Sequence, residues 1–155
     1  MIRVRQAKEA DAGAIARLLH EMGWFSALEG DEAQSEMRIG QLLPSNTDHH
    51  SVFVAESEDE KVVGYTAVHW LPYFFMTGPE GFASELFVSA AARGQGVGKL
   101  LLAAVAAEGR QRGCSRLSLL NGRHRESYQR QFYQKVGWEE RPSMANFVYY
   151  FKETQ

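Results

Sequence analysis

The chain has 155 residues, 45% of them apolar and 23% charged, a balance that suits a soluble globular domain with a real core and excludes a disordered or fibrous protein. A formal net charge of −2 offers no basic field to phosphate backbones, so nucleic acid is excluded as a main partner. One cysteine, Cys114, excludes an intramolecular disulfide and a cysteine-rich zinc site, and no run reaches the roughly 20 apolar residues of a membrane span. The opening Met1-Ile2-Arg3-Val4-Arg5 lacks the apolar stretch of a signal peptide, and together these absences predict a cytoplasmic protein.

In chain order, the alternation from Ile2 to Gln6 predicts a first strand. Ile15, Leu18, Leu19 and Met22 fall at helical spacing, with Glu9 and Asp11 in the first turn of that helix. An irregular stretch from Gly23 leads to a short second helix near Asp31 to Leu43, whose apolar stripe (Met37, Leu42, Leu43) is weak. Val52 to Ala55 and Val62 to Trp70 read as a hairpin joined by Glu58-Asp59-Glu60-Lys61, and Phe82 to Val88 as a further strand. A glycine-rich turn then opens a helix carrying Leu100, Leu101, Ala104 and Val105, which ends near Gly109 to Gly113. Leu117 to Leu120 reads as strand, Ser127 to Val136 as helix stopped by Gly137, and Trp138 to Arg141 and Phe147 to Phe151 as two last strands. No repeat or linker divides the chain, so residues 1–155 are expected to form one domain. The expected fold class is α/β (α+β): a mixed central sheet of about seven strands with four helices, in the order β-α-α-β-β-β-α-β-α-β-β. The strand–helix–strand from Phe82 to Leu120 has the length of a parallel crossover.

The most informative segment is Arg93-Gly94-Gln95-Gly96-Val97-Gly98-Lys99, between a strand and a helix. Its glycines let backbone N–H groups approach a ligand, and the helix behind adds its positive N-terminal end, a combination suited to pyrophosphate. Arg93 adds a charge-assisted contact. A Walker A loop would need glycine at position 93 and Ser or Thr at 100, where the chain has Arg93 and Leu100. A dinucleotide fingerprint starting at Gly94 would need glycine at position 99, which is Lys99. A tight turn without a ligand is the plain alternative.

Arg93-x-x-Gly96-x-Gly98 resembles the acetyl-CoA pyrophosphate loop of the GCN5-related N-acetyltransferase (GNAT) superfamily. The match extends through Ser84-Glu85-Leu86-Phe87-Val88 before it and Lys99-Leu100-Leu101 after it. Arg130-Gln131-Phe132-Tyr133-Gln134-Lys135-Val136-Gly137-Trp138 is similar to a later signature of that family, with Trp138 where Phe is commoner. The resemblance implies acetyl-CoA as co-substrate and no metal. It implies that the strands at Phe82–Val88 and Leu117–Leu120 splay, so that the pantetheine arm meets the Leu86-Phe87-Val88 segment through backbone groups of Leu86 and Val88. The Val88 N–H would then polarise the thioester carbonyl. Many relatives carry Asn seven residues before the tyrosine, where this chain has Glu126; Asn121, Ser127 or Arg130 is the replacement contact.

Acetyl transfer to an amine needs a neutral nucleophile, yet an alkyl ammonium of pKa near 10.4 is only about 0.1% neutral at pH 7.4. A base or a proton wire is therefore expected to help. Glu85 is the first candidate, by similarity to a base proposed in some small-molecule members, with binding of a substrate cation or a neighbouring arginine as its plain alternative. His69 is the second. Tyr133 matches the residue that protonates the leaving thiolate in many relatives; a core tyrosine is the plain alternative. His49-His50 reads as a solvated pair without a third metal ligand, and Cys114 as a small buried residue. Trp70, Tyr73, Phe74, Phe75 and Met76 read as core, pocket wall or dimer contact.

The predicted activity is N-acetylation of a small-molecule primary amine. The alternatives are a non-catalytic acyl-CoA-binding module and a peptide- or protein-directed enzyme, and the resemblance leaves room for a homodimer. For the acceptor, the family pattern points to Trp24, Phe25, Glu29, Asp31, Glu32 and Glu36, then Glu85, then Met144 and Asn146. The carboxylates among residues 29–36 predict a cationic, polyamine-like acceptor.

Overall fold

The computed structural model describes residues 1–23, 31–44 and 46–151. They fall into two compact units, divided between Leu120 and Asn121.

In the first unit, β1 (Arg3–Gln6), β2 (His50–Glu56), β3 (Val62–Leu71), β4 (Glu80–Val88) and β5 (Arg116–Leu119) form one sheet in sequence order. Neighbours are antiparallel up to β4, and β4 pairs with β5 in parallel. The parallel step is made by α3 (Val97–Gln111), while α1 (Ala12–Met22) and α2 (Glu32–Leu42) precede β2. Strand period two sorts side chains to opposite faces. Val52 and Val54 of β2 and Tyr65 and Ala67 of β3 meet Ile15, Leu18 and Leu19 of α1. Phe53 and Ala55, one residue out of phase, join Val68 and Trp70 against Val97, Leu101 and Val105 of α3. The sheet of this unit is therefore covered on both faces.

Local chemistry explains the helix starts. Asp31 caps α2: its carboxylate accepts from the Gln34 N–H at 2.8 Å, and Gln34 Oε1 accepts from the Asp31 N–H at 3.0 Å. Asp11 does something other than favour a helix dipole. It is buried in a 3₁₀ turn (Glu9–Asp11) and receives both terminal nitrogens of Arg5, at 2.8 and 3.0 Å. Arg5 also donates to Glu56, so one guanidinium ties β1 to β2 and to the approach of α1. Burial raises the Asp11 carboxyl, but the bonds from Arg5 and from the Lys8 N–H outweigh it and leave it below the ordinary range.

The second unit departs from the sequence reading. The helix expected from Ser127 to Val136 is two single turns, α4 (Glu126–Gln129) and α5 (Phe132–Lys135), separated at Gln131. Gln131 has φ of 56°, a left-handed conformation that ends one turn and starts the next. Trp138–Arg141 and Phe147–Phe151 form no strand. Phe147–Phe151 is an apolar run, but a strand exists only with a backbone partner, and Phe147, Tyr149 and Phe151 are exposed. Among the described residues there are thus five strands and five α-helices rather than seven and four.

Candidate active site

The parallel pairing of β4 with β5 runs only from Glu80 opposite Arg116 to Ala83 opposite Leu119. Beyond Ala83, β4 continues for five residues along β3 alone. The Ser89 N–H donates to Val63 O at 2.8 Å, which fixes the phase of the antiparallel ladder. By its alternation, Phe87 turns its backbone groups toward β3, whereas Leu86 and Val88 turn theirs away, to the side that β5 has left. This is where the resemblance puts the pantetheine arm. The Phe87 side chain is buried in the core, edge-on to Tyr65 with ring centroids 5.6 Å apart.

Immediately after β4, a 3₁₀ turn (Ala90–Ala92) leads to Arg93 and the glycine loop. Only Gly94 and Gly96 have positive φ, 79° and 77°; Gly98 lies in the first turn of α3. A Cβ at Gly94 or Gly96 would meet nothing within 4 Å, so the requirement there is conformational rather than one of space. Gly96 is the N-cap of a 15-residue helix with no side-chain cap and no acidic residue in its first turn. Val97 is buried and anchors the helix, while Arg93, Gln95 and Lys99 are exposed. The uncapped N–H groups and two basic side chains make this end of α3 attractive to an anion. The loop is held from α1: Glu21 accepts from the Ala90 N–H at 3.0 Å, and Arg93 reaches the Met22 sulfur at 3.8 Å.

On the other face of the sheet lies a cavity of about 140 Å³. Its polar side comes from Tyr65 and His69 on β3, Glu85 on β4 and His50 on β2. A bulge in the β3–β4 register, where Ala67 pairs with Glu85 but Val68 with Ala83, leaves Ser84 as the extra residue. Ser84 and Glu85 then reach the same group of side chains: Ser84 Oγ lies 2.8 Å from His69 Nε2, and the Tyr65 hydroxyl donates to Glu85 Oε1 at 2.8 Å. Burial holds His69 below its ordinary value, Glu85 opposes this, and His50 adds to it, so His69 is neutral at neutral pH. Both candidate bases thus share one pocket.

Several expectations need correction. His49 is exposed, but His50 turns into the cavity, with its Nε2 2.9 Å from the Leu42 carbonyl oxygen. Among the described residues no cluster of three metal-ligating side chains exists. Asp31, Glu32 and Glu36 are exposed and do not line the cavity, whose helical wall is apolar: Ile15 and Leu19 from α1, Ile39 and Leu42 from α2. Trp24, Phe25 and Glu29 lie outside the described residues. Of the aromatic group, Trp70 is core, while Phe74 and Phe75 are exposed. Burial pushes the Cys114 thiol up, which suits a packed residue and not a nucleophile. Tyr65 and Ser84 were not singled out from the sequence, although 65, 67 and 69 share the parity of one strand face.

In the second unit, Asn121 Nδ2 donates to Ser127 Oγ at 3.0 Å, and the Arg130 guanidinium lies 5.1 Å from the Phe132 ring centre. Tyr133 packs edge-on to Phe132 and Trp138, with centroid distances of 4.9 and 6.3 Å. Burial raises the Tyr133 phenol above its ordinary value despite Arg130, so it carries its proton at neutral pH. Met144 and Asn146 are exposed.

These features can be set beside known proteins. The model of the acetyltransferase (GNAT) family matches residues 16–138. The N-acetyltransferase YhfO of Bacillus subtilis (strain 168) is 31% identical over 155 residues, covering 96% of this chain and 95% of that protein. The thialysine N-epsilon-acetyltransferase of Mus musculus is 29% identical over 124 residues, covering 76% of this chain and 72% of its own. In fold, glucosamine-6-phosphate N-acetyltransferase from Arabidopsis thaliana superposes with a TM-score of 0.78 at 20% identity, covering 98% of this chain and 99% of that one.

Proposed function

Because the chain belongs to the acetyltransferase (GNAT) family and is an N-acetyltransferase, we propose that it acetylates the primary amine of a small molecule from acetyl-CoA, by direct attack in a ternary complex. The observation that carries this reading is the open edge of β4. Leu86 and Val88 present backbone groups there, and the strand runs directly into the uncapped N-terminus of α3.

In this reading Leu86 and Val88 pair with the pantetheine amides. Arg93, Gln95, Lys99 and the N–H groups from Gly94 to Gly98 hold the pyrophosphate, and Asn121, Ser127 or Arg130 replaces the asparagine of the family pattern as a cofactor contact. Glu85 takes a proton from the acceptor ammonium, leaving a neutral nitrogen to add to the thioester carbon. The Val88 N–H stabilises the oxygen that receives the carbonyl electron pair. As the C–S bond breaks, Tyr133 gives its proton to the sulfur. The nitrogen's second proton restores the phenol, and the proton on Glu85 leaves to solvent. The Tyr133 assignment rests on the match of the Phe132–Trp138 segment to the family pattern, together with its raised phenol.

Acetyl-CoA should raise the melting temperature of the protein, and Gly96→Asp should abolish that rise by placing negative charge at the loop. A folded Gly96→Asp protein with an unchanged response would refute the loop assignment. Glu85→Gln should lower kcat/KM by roughly 10²- to 10⁴-fold and Tyr133→Phe should lower kcat by roughly 10- to 100-fold, because a thiolate is already a fair leaving group. An amine panel that includes thialysine, read by release of the CoA thiol, measures both. Normal turnover in either variant removes that residue from the chemistry.

A further inference from the structure

We propose that the acceptor is a primary monoamine whose nitrogen is carried by a short apolar body, a phenyl ring or a compact alkyl group, seated in the cavity above Glu85. The proposal names the substrate class of the site just described and rests on that acetyl-transfer reading.

Size is the first argument. The cavity holds about 140 Å³, close to the 150 Å³ or so of an apolar cavity that accommodates benzene. Composition is the second. Ile15, Leu19, Ile39, Leu42, Val52 and Ala67 face it, and among the described residues the lining contains one carboxylate and no lysine or arginine. The third is how the polar atoms are already used. The Tyr65 hydroxyl is committed to Glu85 Oε1, the His50 Nε2 to the Leu42 carbonyl and the His69 Nε2 to Ser84. Glu85 Oε2 accepts no hydrogen bond from a described residue, so the described lining offers one anionic acceptor for one ammonium. A second ammonium, as in a diamine, would be driven against the Ile and Leu wall without a partner, and a carboxylate on the substrate would meet Glu85. This replaces the polyamine-like acceptor expected from the acidic residues near position 31, whose described members, Asp31, Glu32 and Glu36, are on the exposed side of α2.

The test compares 2-phenylethylamine, 1,5-diaminopentane and lysine as acceptors, by kcat/KM from thiol release and by calorimetric binding to the intact protein loaded with CoA. The monoamine should exceed the diamine and lysine by roughly tenfold or more, the discrimination expected when a charge is buried unpaired. Two variants sharpen the result. Ala67→Leu fills the cavity and should raise KM for 2-phenylethylamine at least tenfold while leaving acetyl-CoA affinity alone. Leu42→Asp adds a carboxylate at a position that is 59% exposed, so it should fold normally, and it should shift preference toward the diamine. A wild-type preference for the diamine or lysine, or an Ala67→Leu protein with unaltered KM and binding, overturns the proposal. Failure of the acetyl-transfer reading looks different: acetyl-CoA would neither bind nor be consumed. Calorimetry then decides the cavity alone, since binding of 2-phenylethylamine that Ala67→Leu abolishes supports it and absence of that binding overturns it.

Discussion

The two faces of the sheet in the first unit are built from the same strands, one residue out of phase, and they differ in kind. On the α3 face, Phe53, Ala55, Val68 and Trp70 close against Val97, Leu101 and Val105, all at most 7% exposed. On the α1–α2 face, Val52, Tyr65 and Ala67 also pack, but the positions that continue their alternation are His50, His69 and Glu85, and a cavity is left among them. One face is closed core, and the other holds the chemistry in the proposed function. The difference comes from two things: polar residues at the ends of an otherwise apolar parity, and a bulge at Ser84 that brings a second polar residue beside His69.

The largest expected effect tests whether the faces act independently. Phe53→Ala removes a ring from the closed face and should cost about 3–5 kcal/mol of stability. At roughly 2–4 °C per kcal/mol for a chain of this size, the melting temperature should fall by about 6–20 °C. Assayed well below that temperature, kcat/KM should change less than twofold. A loss of kcat/KM comparable to that of Glu85→Gln would show that the closed face also sets the reacting geometry.

A smaller change on the other face should do both things at once. Tyr65 is 2% exposed and donates to the Glu85 carboxylate. Tyr65→Phe keeps the ring against Phe87 and removes only the hydroxyl. It should cost about 0.5–1.5 kcal/mol of stability, and lower kcat/KM roughly two- to tenfold through the less well-held Glu85. Thermal melts and steady-state kinetics on one preparation give both numbers. A stability loss with intact kcat/KM would reduce the Tyr65–Glu85 bond to packing.

Much of this contrast was legible in the sequence, and the rest was hidden for physical reasons. The unbroken apolar run Val52–Ala55 and the mostly apolar Val62–Trp70 are a direct record of a sheet with two covered faces. The glycine loop was legible because Gly94 and Gly96 adopt positive φ, which few other residues do. The bulge was not, since Phe82-Ala83-Ser84-Glu85 carries no Gly or Pro to mark it. His50 was misread as solvated because the His49-His50 doublet has a loop's composition, yet position 50 has the parity of Val52 and Val54 and begins β2. Counting carboxylates on α2 could not reveal which side of the helix faces inward, and it is Ser35, not Glu32 or Glu36, that is buried. The last two strands were inferred from short local segments, which describe one stretch of chain and not the partner a strand requires.

The smallest effect isolates a single group on the chemical face. Burial lowers the His69 pKa, the Glu85 carboxylate opposes this and His50 reinforces it, with Ser84 as the ring's hydrogen-bond partner. In the unfolded chain the imidazole returns to its ordinary value near 6.5. The folded state therefore takes up this proton less readily than the unfolded state. Its contribution to stability is complete above about pH 6.5 and is lost as pH falls through the depressed folded value. Replacing His69 by Gln removes that one contribution and leaves Asp11, Glu56 and the other carboxyl groups to titrate as before. Melting temperatures measured from pH 7.5 to 5 should fall less steeply for His69→Gln than for the wild type, with the curves separating below about pH 6.5. Glu85→Gln, which takes away the group that raises the His69 value, should make the fall steeper than in the wild type. Parallel curves for all three proteins would mean that His69 is as well solvated in the folded chain as in the unfolded one, and the chemical face would lose the neutral imidazole that distinguishes it.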